Sequence, residues 1–127
     1  MKIGLIIALV LGVLLFVNKA RGQNGNYKNI NVDEFANLMK DKNTVILDVR
    51  TPGEIKGGKI KGAKEINIMS PSFSTKIKAL DPSKTYLVYC RSGNRSGKAC
   101  ARMEKEGFEN LYNLSGGYGA WSAKATR

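Results

Sequence analysis

Residues 85–96 read TYLVYCRSGNRS, and the fold turns on this stretch. Thr85 to Cys90 is an uncharged run of β-branched, aromatic and aliphatic residues. Such a run is expected of a strand buried on both faces of a parallel sheet. From Ser96 to Glu106 the spacing turns helical. Ala99, Cys100 and Met103 share one face, and Lys98, Arg102 and Lys105 share the other. Gly107 ends that helix. A buried strand, a tight loop and a helix make half of a βα unit. The loop lies at the carboxyl end of the strand, where open α/β sheets place their sites.

Working outward, Thr44-Val-Ile-Leu-Asp-Val49 predicts a second buried strand, and Asn110-Leu-Tyr-Asn-Leu114 a further one. Ala63 to Ile68 predicts a short strand. Asn31 and Glu34 form a capping box for a helix that buries Phe35, Leu38 and Met39. Thr51, Pro52 and Glu54 are an N-cap, N1 and N3 set that starts a short helix, stopped by Gly57-Gly58. Ser74 to Leu80 predicts a short helix with Ile77 and Leu80 inward, followed by a turn at Asp81-Pro82-Ser83. Ser115-Gly116-Gly117 turns into a last helix carrying Tyr118 and Trp121. Strands alternating with helices mean an α/β fold with a mainly parallel sheet.

The loop carries the chemistry. Its backbone N–H groups can turn inward and form an anion-binding nest at a helix N-terminus, and Gly93 permits the positive φ this requires. Cys90 stands at the base of the nest and is the candidate nucleophile. Amide dipoles, the helix N-terminus, Arg91 and Arg95 all favour its thiolate; cysteines in such places have pKa values of roughly 3.5–7.5. The chain contains no histidine. That excludes a Ser-His-Asp triad, a Cys-His dyad and a His-ligated zinc site. A thiolate activated by electrostatics needs no base. Each member also has a plainer reading. Cys90 alone would be a buried small hydrophobe, Arg91 a solvated charge and Arg95 half of a salt bridge. Cys100, three helical turns away, reads as core packing and not as a disulfide partner of Cys90.

At 127 residues, 43% hydrophobic and 24% charged, the chain is one domain with a tail and is not disordered. Two cysteines cannot build a disulfide scaffold. Ile3 to Val17 is an unbroken run of 15 apolar or Gly residues. As a helix it would span roughly 22 Å, short of a roughly 30 Å hydrocarbon core. Residues 1–22 therefore read as a cleaved signal peptide or an uncleaved membrane anchor, and the domain is expected in the cell envelope, exported to the periplasm or tethered to a membrane. Residues 23–29 read as a linker leading into the domain, which occupies 30–127. The net charge of +11 asks for an anionic partner. With no interleaved aromatics and no long basic helix, nucleic acid is not the expected one. Lys56, Lys59, Lys61 and Lys64 form a second basic cluster, either a solvated loop or a surface for an anionic partner.

These motifs resemble the rhodanese family. Leu47-Asp48-Val49-Arg50 with Thr51-Pro52-Gly53-Glu54-Ile55 is similar to its first motif. Gly58-Lys59-Ile60-Lys61-Gly62-Ala63 is similar to its Gly-His-Ile-Pro-Gly-Ala segment, with Lys59 and Lys61 in place of His and Pro. Residues 89–96 are similar to its active-site loop, and Leu114-Ser115-Gly116-Gly117-Tyr118-Gly119-Ala120-Trp121 to its C-terminal motif. The resemblance spans residues 27–124. It implies a rhodanese-like, mainly parallel five-stranded sheet flanked by helices. It also implies a sulfurtransferase in which Cys90 takes a sulfane sulfur from a small anionic donor such as thiosulfate and passes it to cyanide or a thiol. Substrate would be bound by Arg91, Ser92, Gly93, Asn94, Arg95 and Ser96, with loop amides on the outer sulfur and arginine charge attracting the donor. Neither a metal nor a cofactor is implied. Asp48 and Arg50, the matching strand-end pair, read as structural. Two rivals stand beside this. One is a non-enzymatic rhodanese-like binding or sulfur-carrier module. The other is a Cdc25-like phosphatase or arsenate reductase, whose loop carries five residues between Cys and Arg where this chain has four.

Overall fold

The computed structural model describes residues 27–125; the apolar run at 3–17 lies outside them. Among the described residues no helix is long and apolar enough to cross a membrane. The elements run β1 (Lys28–Ile30), α1 (Val32–Leu38), β2 (Thr44–Asp48), α2 (Pro52–Ile55), β3 (Lys64–Glu65), α3 (Phe73–Lys78), β4 (Thr85–Tyr89), α4 (Asn94–Lys105), β5 (Asn110–Leu114) and α5 (Gly117–Ala125). The strands form one sheet in the order β1-β5-β4-β2-β3, and every pair is parallel. Both capping boxes form as read. Asn31 Oδ1 accepts from the Glu34 amide, Thr51 Oγ1 accepts from the Glu54 amide, and each Glu reaches back to its N-cap amide.

Strand β1 lies in the stretch read as the approach to the domain. It is only three residues long, too short for a period-2 signal, and is defined by pairing Asn29 with Asn113 on β5. The strand expected over 63–68 shrinks to Lys64–Glu65. Chain β2 turns away into α2 after Val49, so Ile66 and Ile68 donate single bonds to the Asp48 and Val49 carbonyls and no ladder continues.

The period-2 alternation of β4 sorts the core into two layers. Tyr86, Val88 and Cys90 face one layer, with Phe73 and Ile77 of α3 and Ala99, Cys100 and Met103 of α4. Leu87 and Tyr89 face the other, with Phe35 of α1 and Tyr118 and Trp121 of α5 packed at its edge.

A polar lock closes the carboxyl ends of β2 and β4. The fully buried Asp48 carboxylate pairs with Arg50, which is 3% exposed, through bonds of 2.7–3.2 Å. The Tyr89 hydroxyl donates to Asp48 Oδ2 (2.6 Å) and accepts from the Ile60 amide (3.0 Å). Burial, with the neighbouring Asp48 carboxylate, pushes the Tyr89 phenol upward, so it stays protonated and keeps donating. Arg50 also donates to the Gly58 carbonyl and lies over the Tyr118 ring. A Tyr89→Phe substitution leaves the Ile60 N–H buried and unpaired. It should lower unfolding free energy by about 1–3 kcal/mol, read by urea denaturation, with the fold retained by circular dichroism.

Candidate active site

The site is built where β4 runs out. Cys90 follows Tyr89 directly and is fully buried on the α4 side of the sheet. Three residues later the chain reverses at Gly93, whose φ of +101° is left-handed. A side chain there would be strained, and its Cβ would also press within 3.1 Å of the Leu114 carbonyl. The reversal starts α4 at Asn94, two residues before the expected Ser96, because the Gly97 amide already reaches the Gly93 carbonyl. Asn94 and Arg95 thus belong to the first helical turn, and only Arg91, Ser92 and Gly93 remain as loop.

This turn wraps the sulfur. The Gly93 amide donates to Cys90 Sγ at 3.1 Å and the Ser96 hydroxyl at 3.3 Å. Burial pushes the thiol pKa up, but the Ser96 hydroxyl and the amides of Ser96, Ser92 and Gly93 outweigh it, and the net shift is downward. The arginines were expected to share this work. The hydroxyl and the amides lead it, and Arg95 adds a favourable charge interaction with the thiolate. Cys100 is buried beneath the site as a free thiol, and burial pushes its pKa strongly upward. It is inert core packing, as the sequence indicated.

The two arginines separate. Arg95 makes a bidentate pair with Glu54 of α2, at 2.7 and 2.8 Å, which ties α4 to the helix that follows β2. Arg91 is exposed and makes no ion pair among the described residues. It lines a cleft of about 420 Å³ with Arg50, Glu54, Gly57, Tyr118, Gly119 and Ser122. Ser92 and Asn94 are exposed beside it, and Ser96 is buried. In the second basic cluster, Lys59 bonds Glu65 and the Ala63 carbonyl. Lys56, Lys61 and Lys64 stay exposed.

Three contributions escape a reading of the loop alone. Glu54, legible as a cap residue, is also the partner of Arg95. The N-terminus of α5 holds the loop backbone from outside: Tyr118 N–H donates to the Cys90 carbonyl (2.8 Å) and Gly119 N–H to the Arg91 carbonyl (3.1 Å). Asn113, a polar residue in an otherwise apolar part of β5, donates to the Gly93 carbonyl at 3.0 Å. The paired glycines at 116–117 were the sequence signal for the second. At Gly117, with φ of +57°, a Cβ would fall 2.4 Å from the Arg91 carbonyl oxygen.

Gly117→Ala should therefore displace the loop and cost at least about 1 kcal/mol of stability, with slowed alkylation of Cys90. Gly119→Ala, where the Cβ meets only an ordinary 3.5 Å contact, should be tolerated. Thermal unfolding and thiol labelling read both. The Arg95 pair holds the Glu54 carboxyl down at about 2, below its ordinary 4.5. A lowered carboxylate pKa stabilises the fold above the ordinary value and loses that contribution as pH falls. Glu54→Gln should cost about 1 kcal/mol at neutral pH. Its deficit against the wild type should close as pH drops from about 4.5 towards about 2, measured by denaturation across pH.

A family model described as a rhodanese-like domain matches residues 31–124. The thiosulfate sulfurtransferase GlpE of Pseudomonas putida is 31% identical over 97 residues, covering 76% of this chain and 86% of its own. The tRNA uridine(34) hydroxylase of Pelagibacter ubique is 34% identical over 95 residues, 72% of this chain but 32% of that longer protein. Among solved structures, a rhodanese-like domain protein from Staphylococcus aureus superposes with a TM-score of 0.66 at 33% identity, covering 74% of this chain and 90% of its own. With its parallel sheet and its cysteine loop between β4 and α4, this chain belongs to the rhodanese-like domain family.

Proposed function

We propose that this protein is a sulfurtransferase that carries sulfane sulfur as a persulfide on Cys90. The observation that carries the reading is a buried sulfur receiving hydrogen bonds from the Gly93 amide and the Ser96 hydroxyl, with its pKa lowered in spite of burial. Relatives named as sulfurtransferases support the same chemistry.

The Cys90 thiolate attacks the outer sulfur of thiosulfate. A Cys–S–S bond forms, the sulfur–sulfur bond of thiosulfate breaks, and sulfite leaves with the electron pair. The persulfide sulfur then sits in the amide nest, which suits a diffuse anion. Cyanide attacks that outer sulfur, thiocyanate departs, and the Cys90 thiolate returns with no net proton change. Arg91, without an ion-pair partner among the described residues and exposed at the cleft, attracts the anionic donor. Arg95 acts through Glu54 as a brace. A thiol acceptor would use the same cleft. The apolar segment at 3–17 further supports our proposal of a cell-envelope location, checked by N-terminal sequencing of the native protein.

Full-length protein mixed with thiosulfate should gain the mass of one sulfur atom, and adding cyanide should release thiocyanate. Cys90→Ser should do neither. Equal thiocyanate from both proteins would overturn the reading, and a protein that keeps the added sulfur but turns over no faster than free thiol would be a sulfur carrier. The rate of sulfur loading should rise with pH and level off below the ordinary cysteine value of 9.0. Arg91→Ala should raise KM for thiosulfate several-fold and make KM less sensitive to added salt, because a cleft cation without an ion-pair partner among the described residues is lost.

A further inference from the structure

Asn113 is 4% exposed on β5, within hydrogen-bond reach of the sulfur loop. Its side-chain amide links β5 and β1 to that loop. The Nδ2 group donates to the Gly93 carbonyl at 3.0 Å and to Asn29 Oδ1 on β1 at 2.9 Å. Its Oδ1 is buried and meets no protein donor among the described residues. An orphaned acceptor costs free energy. Turning the Asn113 amide over by itself would lose both bonds, since the atoms facing it, the Gly93 carbonyl oxygen and Asn29 Oδ1, are acceptors. The orientation is therefore dictated by what the Gly93 carbonyl and Asn29 require.

Gly93 is the residue whose left-handed backbone aims an N–H at the sulfur. Its carbonyl already accepts from the Gly97 amide at 3.2 Å, so the Asn113 bond is not needed to satisfy it. The added bond instead fixes the tilt of the Gly93 unit against β5.

We propose that Asn113 is a positioning residue for the sulfur site: its amide clamps the Gly93 carbonyl to β5 and so holds the Gly93 N–H on Cys90 Sγ. This rests on the sulfurtransferase reading only for its biological use, because the clamp is testable on the resting thiol. The charged and titratable groups around the sulfur are Arg91 in the loop, Arg95 and Cys100 on α4, Glu54 on α2 and the Asp48–Arg50 pair at the end of β2. Asn113→Leu changes none of them.

The substitution removes donor and orphan together. It strands no partner, because the Gly93 carbonyl keeps Gly97 and Asn29 is exposed. The full chain carrying Asn113→Leu, Asn113→Val or Asn29→Ala is titrated by ultraviolet thiolate absorbance, with Cys90→Ser subtracted, beside thermal unfolding. Loss of one amide–sulfur bond of ordinary worth corresponds to a rise of about half to one pH unit, or about 3- to 10-fold less thiolate below the midpoint. Asn113→Leu and Asn113→Val should show this rise while melting close to wild type, and Asn29→Ala should titrate as wild type. A folded Asn113 variant with an unshifted titration overturns the proposal. So does a rise of equal size in Asn29→Ala, and so does the failure of both Asn113 variants to fold, which would make the residue structural. Absence of thiocyanate production in wild type would leave this titration untouched and would count against the sulfurtransferase reading alone.

Discussion

Favouring the anionic form of a sulfur whose burial opposes it is the constraint around which this domain is arranged. Burial alone pushes a thiol towards its neutral form, and Cys90 is fully buried. A cation in direct contact would oppose that push. The protein uses partial charges instead. Backbone amides and the Ser96 hydroxyl are aimed at Sγ, and as preorganised donors they need not reorganise to hold negative charge there. Such groups work only if the backbone bearing them cannot relax. Most of the surrounding structure answers to that need.

The loop is accordingly held from several sides. Arg95 and Glu54 brace α4 against α2. The first turn of α5 grips the Cys90 and Arg91 carbonyls, possible only because Gly117 has no side chain. The Asp48–Arg50–Tyr89 lock fixes the ends of β2 and β4 on the opposite face of the sheet. Tyr89 and Cys90 are adjacent in sequence and point to opposite layers. The lock thus sets the strand end that launches the loop without touching the sulfur.

Much of this was legible in the residues. The buried strands, both capping boxes, the Cys90 nest and the left-handed Gly93 follow from local patterns that a short window contains. The parallel sheet followed from their alternation. What the sequence left hidden is what depends on long-range pairing. Strand β1 is defined by its backbone pairing with β5, 84 residues away. The Glu54–Arg95 bridge spans 41 residues. The pairing of Arg95 was hidden for the same reason, although it still interacts favourably with the Cys90 thiolate. A loop sequence displays a charge, but not whether a distant carboxylate has already claimed it.

That division of the arginines has a functional logic. A cation fixed to Glu54 contributes little field at the cleft, since the pair is close to neutral from outside. Arg91, its backbone carbonyl held by Gly119 and its side chain left in solvent, keeps a full charge at the rim. Exposed Lys56, beside cleft-lining Gly57, adds to that potential over a Debye length of roughly 8 Å at physiological salt. The chain's excess of basic residues can then act on the approach of an anion, while the amide nest acts on the sulfur after it has arrived. In the proposed sulfur transfer, separating attraction from stabilisation would let sulfite or thiocyanate leave. A guanidinium in contact with the sulfur would hold the product as firmly as the substrate.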